Sequence, residues 1–393
     1  MYGFDSLTDR KNSYSYKWDV ADGELPMWVA DMDFETAPPI KEAIERRAQH
    51  GIFGYSVTPD ELFSSVSGYW KRRHGFAIPT EWMIYSSGVV AAISSIVRRL
   101  TLPGEKVLIQ APVYNIFYNS ILNNGREVCS CDLVYKEGAY KVDFDALDSC
   151  LADPQVSLMI LCNPHNPVGR VWSPDELAKI GELCHRHGVT VLSDEIHCDI
   201  TAPGVEYTPF ASVNDTCADI SVSCIAPSKT FNLAGLQTAT VFAKDPMIRH
   251  RVFRGINNDE VGEPGAFAVC ASIAAYNQCD GWVDALRAYV FENRRIACDY
   301  INERIPAIKP ISADATYLLW IDISGVSDNS VEFVRRVREI SGLYLSDGAE
   351  YGACSRGFVR MNLGTQRSRI QDGLCRLERA VTQILAKDRT SEK

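Results

Sequence analysis

The sequence predicts an α/β fold in which helices cover a mostly parallel β-sheet. Apolar runs of strand length alternate with amphipathic stretches of helix length through most of the chain. This alternation is typical of parallel sheets, because the connection between two parallel strands is usually a helix. In addition, several apolar runs end directly in polar, reactive residues, and open α/β sheets bind their ligands at the carboxyl ends of the strands.

The predicted elements begin after an irregular, aromatic arm over residues 1–36, where prolines interrupt any long element. Helices are predicted at 39–49 and 60–74, the second with apolar residues at helical spacing. A third helix begins after Gly88 and runs to Leu100. The alternating strands and helices that follow are residues 106–111, 126–134, 144–151, 158–162, 173–187, 189–194, 220–225 and 238–243.

After Gly265 the chain becomes mainly helical, at 266–277 and 282–304, and leads into a second, smaller domain. This domain is predicted to be α+β, with strands at 316–323, 343–345 and 358–362, a helix at 330–340 and a closing helix to about Ala386. The predicted domains are an N-terminal arm with part of the small domain (1–45), a large domain that contains the parallel sheet (46–285) and a small C-terminal domain (286–393).

Length and composition favour a soluble globular protein. The chain has 393 residues, of which 46% are hydrophobic, so it can bury a substantial core. Its formal charge of −10 would repel nucleic acids and anionic membranes, which excludes both as default partners. No run of about 18 uncharged apolar residues occurs, and no transmembrane helix is predicted.

The cysteines indicate a reducing compartment. The sequence contains 13 of them without the spacing of a disulfide framework, and residues 1–10 lack the apolar core of a signal peptide. A cytoplasmic location is therefore expected. Potential metal ligands cluster in the run Cys129-Ser130-Cys131 and at Cys184, His185 and His187. No second pair stands at zinc-finger spacing, and no metal is predicted.

Lys229 is the centre of the predicted chemistry. It lies in the run Ala226-Pro227-Ser228-Lys229-Thr230, directly after the apolar run 220–225. A lysine in such a position forms Schiff bases with carbonyl cofactors once its surroundings lower its pKa. By itself, a lysine after a strand is more often a surface cation, so the interpretation depends on the other strand ends.

Two other strand ends supply matching groups. Asp194 closes the run 189–194, and Asn166 follows the run 158–162. A lysine for an aldehyde, a carboxylate for a pyridinium nitrogen and an amide for a phenolic oxygen are the groups that pyridoxal 5′-phosphate needs as an electron sink. A dinucleotide or nucleoside-triphosphate site is disfavoured, because neither of the glycine-rich phosphate loops of such sites occurs.

The cofactor phosphate is expected at the start of the helix that follows Gly88. Unpaired N–H groups and the positive end of the helix dipole make Gly88, Val89 and Val90 a natural cradle for an anion. A glycine before an apolar helix is weak evidence by itself.

Together these motifs resemble the fold-type I pyridoxal-phosphate enzymes of the aspartate aminotransferase superfamily, class I/II. The closer resemblance is to the cystathionine β-lyase-like C–S lyases of the MalY/PatB type. It spans nearly the whole chain, from Lys17-Trp18-Asp19 and Leu25-Pro26-Met27-Trp28-Val29-Ala30-Asp31-Met32-Asp33-Phe34 to Gly357-Phe358-Val359-Arg360-Met361-Asn362.

The resemblance implies roles around the cofactor. Tyr114 would stack on the cofactor ring with its hydroxyl toward the substrate, where it is a candidate proton donor. His197 would join Asn166 at the ring oxygen, in a place where typical aspartate aminotransferases have a tyrosine. Ser228 would bind the phosphate. Tyr55 would reach the phosphate of the neighbouring subunit, which implies a homodimer with active sites at the subunit interface.

The resemblance also implies how an amino-acid substrate is held. Residues 28–31, including Ala30 and Asp31, would form the substrate mouth, although residues 28–29 are equally compatible with a small buried strand. Arg360 lies in an apolar strand, where an unpaired guanidinium is costly unless an anion meets it. In the family this arginine binds the substrate α-carboxylate. The alternative is a buried structural ion pair.

The implied reaction is α,β-elimination from an L-cysteine thioether, which gives a thiol, pyruvate and ammonia. Lys229 would hold the cofactor and then act as the general base at Cα. Many aminotransferases have an arginine where this chain has Gln237, and the C–S lyase branch shares the glutamine, so lyase activity is favoured. The alternatives are a class I/II aminotransferase and a protein that additionally binds a transcription activator.

Overall fold

The computed structural model describes residues 2–391, with side chains through residue 387. Its strands are β1 (Leu25–Pro26), β2 (Met83–Ser86), β3 (Lys106–Ile109), β4 (Glu127–Ser130), β5 (Val134–Lys136), β6 (Ala139–Lys141), β7 (Val156–Cys162), β8 (Thr190–Asp194), β9 (Ser221–Ile225), β10 (Ala239–Phe242), β11 (Lys309–Pro310), β12 (Leu318–Asp322), β13 (Leu343–Tyr344), β14 (Ser346–Asp347) and β15 (Phe358–Asn362).

The helices alternate with these strands in the first part of the chain and dominate after β10. They are α1 (Pro38–His50), α2 (Asp60–His74), α3 (Val89–Leu100), α4 (Ile116–Leu122), α5 (Phe144–Leu151), α6 (Pro174–Arg186), α7 (Asp215–Asp219), α8 (Pro227–Thr230), α9 (Pro246–Asn258), α10 (Ala268–Gln278), α11 (Asp280–Arg304), α12 (Ser330–Ser341) and α13 (Arg367–Ser391). No described helix combines the length and apolarity needed to cross a membrane.

A seven-stranded sheet forms the centre of the molecule, in the order β2-β10-β9-β8-β7-β3-β4. The strands from β9 to β4 run parallel, and β10 is antiparallel to both of its neighbours. The prediction of a mostly parallel sheet is thus confirmed.

Both faces of this sheet are buried. Along β7, Leu158, Ile160 and Cys162 pack into one apolar cluster with α3, whereas Met159 and Leu161 pack into a second cluster with α6. Because successive side chains of a strand point to opposite faces, a strand covered on both sides needs an uninterrupted apolar run. This is why the central strands were recognisable in the sequence.

A second sheet, in the order β11-β12-β15-β14, lies in the C-terminal part of the chain. Its core includes apolar residues of α12 and α13 together with Leu25 and Met27 from the N-terminal arm. The arm is also joined to this part by β1, which pairs in parallel with β13. These contacts hold residues 27–34 near the strand ends of the large sheet, where Met32 N donates to Asn232 Oδ1.

The structure corrects one predicted element and adds several that were not predicted, among them β2, α4 and α9. The run 126–134 is not one strand: β4 ends at Ser130, and β5 and β6 form a separate antiparallel hairpin. Glu137 and Gly138 both have positive φ in its turn, as a tight two-residue turn requires. Neither β2 nor α9 was predicted, although the Asp245 N-cap and Pro246 mark the start of α9.

Candidate active site

The carboxyl ends of β7, β8 and β9 open onto a cavity of about 310 Å³. Cys162 pairs with Asp194, and Asp194 with Cys224, so the three strands end level. The residues that line the cavity are Ala30, Ser87, Gly88, Val89, Val90, Ala91, Tyr114, Cys162, Asn166, Asp194, Ile196, His197, Ser228, Lys229, Ala234, Gln237 and Thr238. The structure therefore brings together all the predicted site residues except Asp31, Tyr55 and Arg360.

Lys229 reaches the cavity from α8, the short helix that follows β9. Its Nζ donates a hydrogen bond to the carbonyl oxygen of Ala30 at 2.7 Å. Loss of hydration and the nearby Arg360 guanidinium lower the pKa of Lys229 to about 8, against the opposing effect of Asp31 and Asp194. Near neutral pH part of the Lys229 population is therefore an uncharged amine that can act as a nucleophile or a base.

Asp194 is the last residue of β8, and its carboxyl group is buried. Oδ1 accepts a hydrogen bond from the backbone N–H of Ile196 at 3.2 Å. Burial raises the pKa of Asp194 to about 7, and the neighbouring Glu195 adds to the rise. An ionised carboxylate in this position destabilises the fold unless a proton or a positive charge compensates it. The site therefore favours a ligand with a positively charged group.

His197 is a buried imidazole on the wall of the same cavity. Burial, together with the positive charges of Lys229 and Arg360, lowers the pKa of His197 to about 3. The ring is therefore neutral at physiological pH. Within the described residues, Nδ1 is buried and has no hydrogen-bond partner.

Arg360 lies in the middle of β15, behind the cavity wall. It donates hydrogen bonds to Asn166 Oδ1 at 3.1 Å and to the carbonyl oxygen of Trp28 at 2.9 Å, and its guanidinium lies 5.0 Å from the ring centre of Tyr351. All its hydrogen-bond partners in the described part of the chain, Ser346 Oγ included, are neutral. No ion pair of Arg360 occurs among the described residues, although the Glu350 carboxyl is close enough for Arg360 to oppose the rise in its pKa.

Tyr114 stands just after β3 and lines the cavity. Burial raises the pKa of Tyr114 to about 12. The phenol is therefore protonated and can donate a proton or a hydrogen bond at physiological pH.

The first turn of α3 forms the opposite wall. Gly88 is its N-cap with a φ of 128°, a conformation that side chains with a Cβ rarely adopt. The first helical hydrogen bond joins Ala92 N to Gly88 O, so the N–H groups of residues 89–91 have no acceptor within the helix. Ser228 and Gln237 line the same cavity. These donors fit a phosphate group.

The sequence analysis missed Tyr317, which lies just before β12. Tyr317 is buried, and its hydroxyl donates to the Ala30 carbonyl oxygen at 2.9 Å. It had been placed inside an apolar strand, where a tyrosine is ordinarily packing. The partner atom belongs to a backbone carbonyl 287 positions away, which leaves no local signal.

Asp31 and Tyr55 lie outside the Lys229 cavity. The Asp31 side chain forms an ion pair with Arg10 at 2.6 Å. Tyr55 is fully exposed and lines a second cavity of about 810 Å³, together with residues of α9 such as Phe253. Within one chain, Tyr55 does not take part in the Lys229 site.

The described residues contain one compact group of possible metal ligands, His74, Cys198 and Asp199, whose ligand atoms lie within 4.8 Å of one another. The carboxylate oxygens already have partners: Asp199 Oδ1 lies 3.0 Å from His74 Nε2, and Oδ2 accepts from Thr230 at 2.7 Å. This group lies apart from the two sequence clusters considered for metal.

Comparison with known proteins gives consistent results. The chain is 42% identical to cystathionine beta-lyase PatB of Bacillus subtilis (strain 168), over 96% of this chain and 100% of that protein. It is 34% identical to protein MalY of Escherichia coli (strain K12), over 98% of this chain and 100% of that protein. The crystal structure of cystalysin from Treponema denticola, which contains a pyridoxal 5′-phosphate cofactor, matches with a TM-score of 0.94 and 34% identity over 98% of this chain and 100% of that chain. The model of the family "Aminotransferase class I and II" matches residues 25–377. The chain belongs to this family of class I and II aminotransferases.

Proposed function

We propose that this chain is a pyridoxal 5′-phosphate-dependent C–S β-lyase. Its substrate is an L-cysteine thioether or a related amino acid, which it converts into a thiol, pyruvate and ammonia. The proposal depends on one observation: Lys229 lies in a cavity with Asp194 and next to Arg360, and its buried position lowers its pKa to about 8. The name of the Bacillus subtilis relative supports β-lyase chemistry, and the cofactor in the Treponema denticola structure supports pyridoxal 5′-phosphate as the cofactor.

The residues of the cavity fit this cofactor. Asp194 would meet the protonated ring nitrogen, which compensates the cost of its buried charge. Asn166 and the neutral His197 would lie at the ring oxygen, and Tyr114 would stack on the ring. The N–H groups at the start of α3, with Ser228, would bind the phosphate. When bound, the cofactor supplies an electron sink for negative charge at the substrate Cα.

Three side chains then act on the substrate. Arg360 binds the α-carboxylate, which gives its guanidinium an ionic partner in addition to the neutral groups that it contacts. Lys229 removes the proton from Cα with its neutral amine. Tyr114 remains protonated and donates a hydrogen bond to the departing sulfur where that atom needs it. A thiolate leaves with little acid assistance, which favours sulfur as the leaving atom.

A test of the cofactor site needs no assumption about the substrate. The purified protein should bind pyridoxal 5′-phosphate with a yellow colour, and borohydride should bleach it and fix the cofactor mass on the peptide that contains Lys229. Lys229→Ala should bind the cofactor weakly and lose turnover by roughly several powers of ten, because the substitution removes both the cofactor anchor and the general base. Labelling of another lysine would contradict the assignment.

The reaction type is tested by product analysis. Cystathionine, cystine, cysteine and a cysteine S-conjugate should each be assayed for equal amounts of pyruvate and sulfur product. That product is a thiol from cystathionine or the conjugate, a persulfide from cystine and hydrogen sulfide from cysteine. An aminotransferase would instead release a keto acid that keeps the substrate sulfur, and would leave the cofactor in its amine form. That result would replace the lyase proposal while keeping the same site residues.

We also propose that the active enzyme is a homodimer in which Tyr55 reaches the partner subunit's cofactor phosphate. Tyr55 is fully exposed in a single chain, within a segment that also exposes Ile52, Phe53 and Val57. A cluster of exposed apolar side chains of this kind is typical of an interaction surface. A second copy of the chain would cover it and complete the site.

A further inference from the structure

The carbonyl oxygen of Ala30 accepts two hydrogen bonds inside the active site. Lys229 Nζ donates one at 2.7 Å, and the Tyr317 hydroxyl donates the other at 2.9 Å. A carbonyl oxygen has two lone pairs, so both positions are filled. Two donors on one acceptor compete for the same electron density, and each bond is weaker than it would be alone.

The Ala30 carbonyl is held firmly by its flanking residues. Asn362 Nδ2 donates to the carbonyl oxygens of Val29 and Asp31, on either side of Ala30. Asn232 Oδ1 accepts from the N–H of Met32. The peptide unit therefore has little freedom to turn away from its donors.

Tyr317 is equally constrained. Its ring is buried, and its backbone carbonyl accepts a hydrogen bond from Leu363 N at 2.7 Å. Arg294 Nη2 donates to the carbonyl oxygens of Thr316 and Leu318, on either side of Tyr317. Burial raises the pKa of Tyr317, so its hydroxyl is protonated and donates.

We propose that the Ala30 carbonyl oxygen is the docking point of the Lys229 amine whenever that amine is not bonded to the cofactor, and that Tyr317 is a positioning residue that keeps this docking weak. The inference rests on the proposed role of Lys229 as the base at Cα. The lone pair of the neutral amine must reach the proton at Cα, and a strong hydrogen bond from Nζ to a rigid carbonyl would hold the amine in place and favour its ammonium form. Tyr317 acts only through Ala30, and we assign it no contact with substrate or cofactor.

The decisive variant is Tyr317→Phe, which removes the competing donor and keeps the ring. With Lys229 as the remaining donor, the carbonyl stabilises the Lys229 ammonium more strongly, so the Lys229 pKa rises. In the full-length protein without cofactor, the pH dependence of Lys229 labelling by an amine-reactive anhydride, followed by mass spectrometry, should shift upward by about half a unit to one unit. Asp31, Asp194, Arg360, His197 and Tyr114 also face this region, and all remain unchanged in the variant.

In the holoenzyme, Tyr317→Phe should lower kcat by about threefold to tenfold with little change in KM, because only proton transfer is slowed. The kinetic isotope effect with α-deuterated substrate should increase. The matched control is Tyr140→Phe, which removes another buried hydroxyl, the acceptor of Trp320 Nε1 at 3.2 Å. It should lower the melting temperature without moving the labelling curve or the isotope effect.

Superimposable labelling curves for wild type and Tyr317→Phe would overturn the inference, as would a loss of kcat with an unchanged isotope effect. If the phenylalanine variant does not fold, 3-fluorotyrosine at position 317 provides a stronger donor, and the labelling curve should then shift downward. The labelling result does not depend on lyase activity. A wild-type protein without lyase turnover would therefore refute the proposed function, whereas the labelling curves alone would decide the docking inference.

Discussion

Asp194 and Asp199 are both buried, yet their pKa values are shifted in opposite directions. Asp199 accepts hydrogen bonds, and its pKa is lowered because His74 and Thr230 offset the cost of burial. Among the described residues Asp194 has a single backbone donor, Ile196, and its pKa rises from 3.8 to about 7. The carboxylate of Asp194 thus opposes folding of the cofactor-free chain, as expected of a residue kept for ligand binding.

Asp194→Asn should therefore stabilise the cofactor-free protein while it abolishes activity. Between pH 3.8 and about 7, Asp194 is protonated in the folded state and ionised in the unfolded state. Over this window the free energy of unfolding falls as pH rises, and above it the full cost of the buried carboxylate is reached. At pH 8 the variant should gain about 2–4 kcal/mol in free energy of unfolding, measured with urea, and the gain should shrink toward pH 4.

The matched control is Asp199→Asn. The pKa of Asp199 is lowered, so its carboxylate stabilises the fold above its ordinary pKa and this contribution is lost as pH falls through the folded value. The substitution should destabilise the protein at pH 8. Destabilisation by both variants would contradict the electrostatic interpretation of Asp194.

Arg360→Lys separates substrate recognition from folding. The lysine keeps the charge but loses the fork that matches a carboxylate, so kcat/KM should fall by about 30- to 1,000-fold, roughly 2–4 kcal/mol. The absorbance of the bound cofactor should barely change. Arg126 provides a control, because this buried arginine donates to the backbone carbonyls of Arg98 and Thr101 and lies outside the lining of the Lys229 cavity.

Arg126→Lys should lower the melting temperature more than it changes kcat/KM for the fully loaded enzyme. If Arg360→Lys loses cofactor in step with activity, or keeps its kcat/KM with an amino-acid thioether, the substrate carboxylate must be bound elsewhere.

At the scale of elements, the cavity depends on how α3 begins. Gly88 has a φ of 128°, and an added Cβ would meet no atom within 4 Å, so its substitution acts through backbone conformation alone. Strain of this kind costs about 1–3 kcal/mol unless the chain turns away, and turning would move the free N–H groups. Gly88→Ala should therefore weaken cofactor binding by about 5- to 150-fold in a titration with pyridoxal 5′-phosphate.

Gly104→Ala is the matched control for this prediction. Gly104 also has a positive φ, 85°, with open space around its Cα, and it lies outside the lining of the Lys229 cavity. Its substitution should reduce stability to a similar degree and leave cofactor affinity unchanged. Equal affinity losses in the two variants would show that α3 has no special part in phosphate binding.

At the scale of the whole molecule, a shared active site can be tested by mixing inactive chains. Tyr55→Phe removes the proposed partner contact, and Lys229→Ala removes the base. In a mixed dimer, one of the two sites receives Lys229 from one chain and Tyr55 from the other, so activity should partly return. Verified subunit exchange without recovery would indicate that each site is built from a single chain.

The sequence by itself determined the α/β class and the triad of Lys229, Asp194 and Asn166. Central strands buried on both faces leave continuous apolar runs, and parallel neighbours end at the same edge, so residues that follow those runs must meet. These relations are local in sequence or follow from one simple rule of topology. The helix start at Gly88 could also be predicted, because its signal, a glycine directly before an apolar helix, is local in sequence.

Tertiary structure decided the contacts that tune those groups. The Ala30 carbonyl meets Lys229 across 199 positions and Tyr317 across 287, and Arg360 meets Asn166 across 194. Only the packing of the arm and the C-terminal sheet against the strand ends sets these distances. The same packing gives Arg360 neutral hydrogen-bond partners and buries Asp194 with a single backbone donor among the described residues. Burial and charge compensation are properties of the folded surroundings and have no signature in a local pattern.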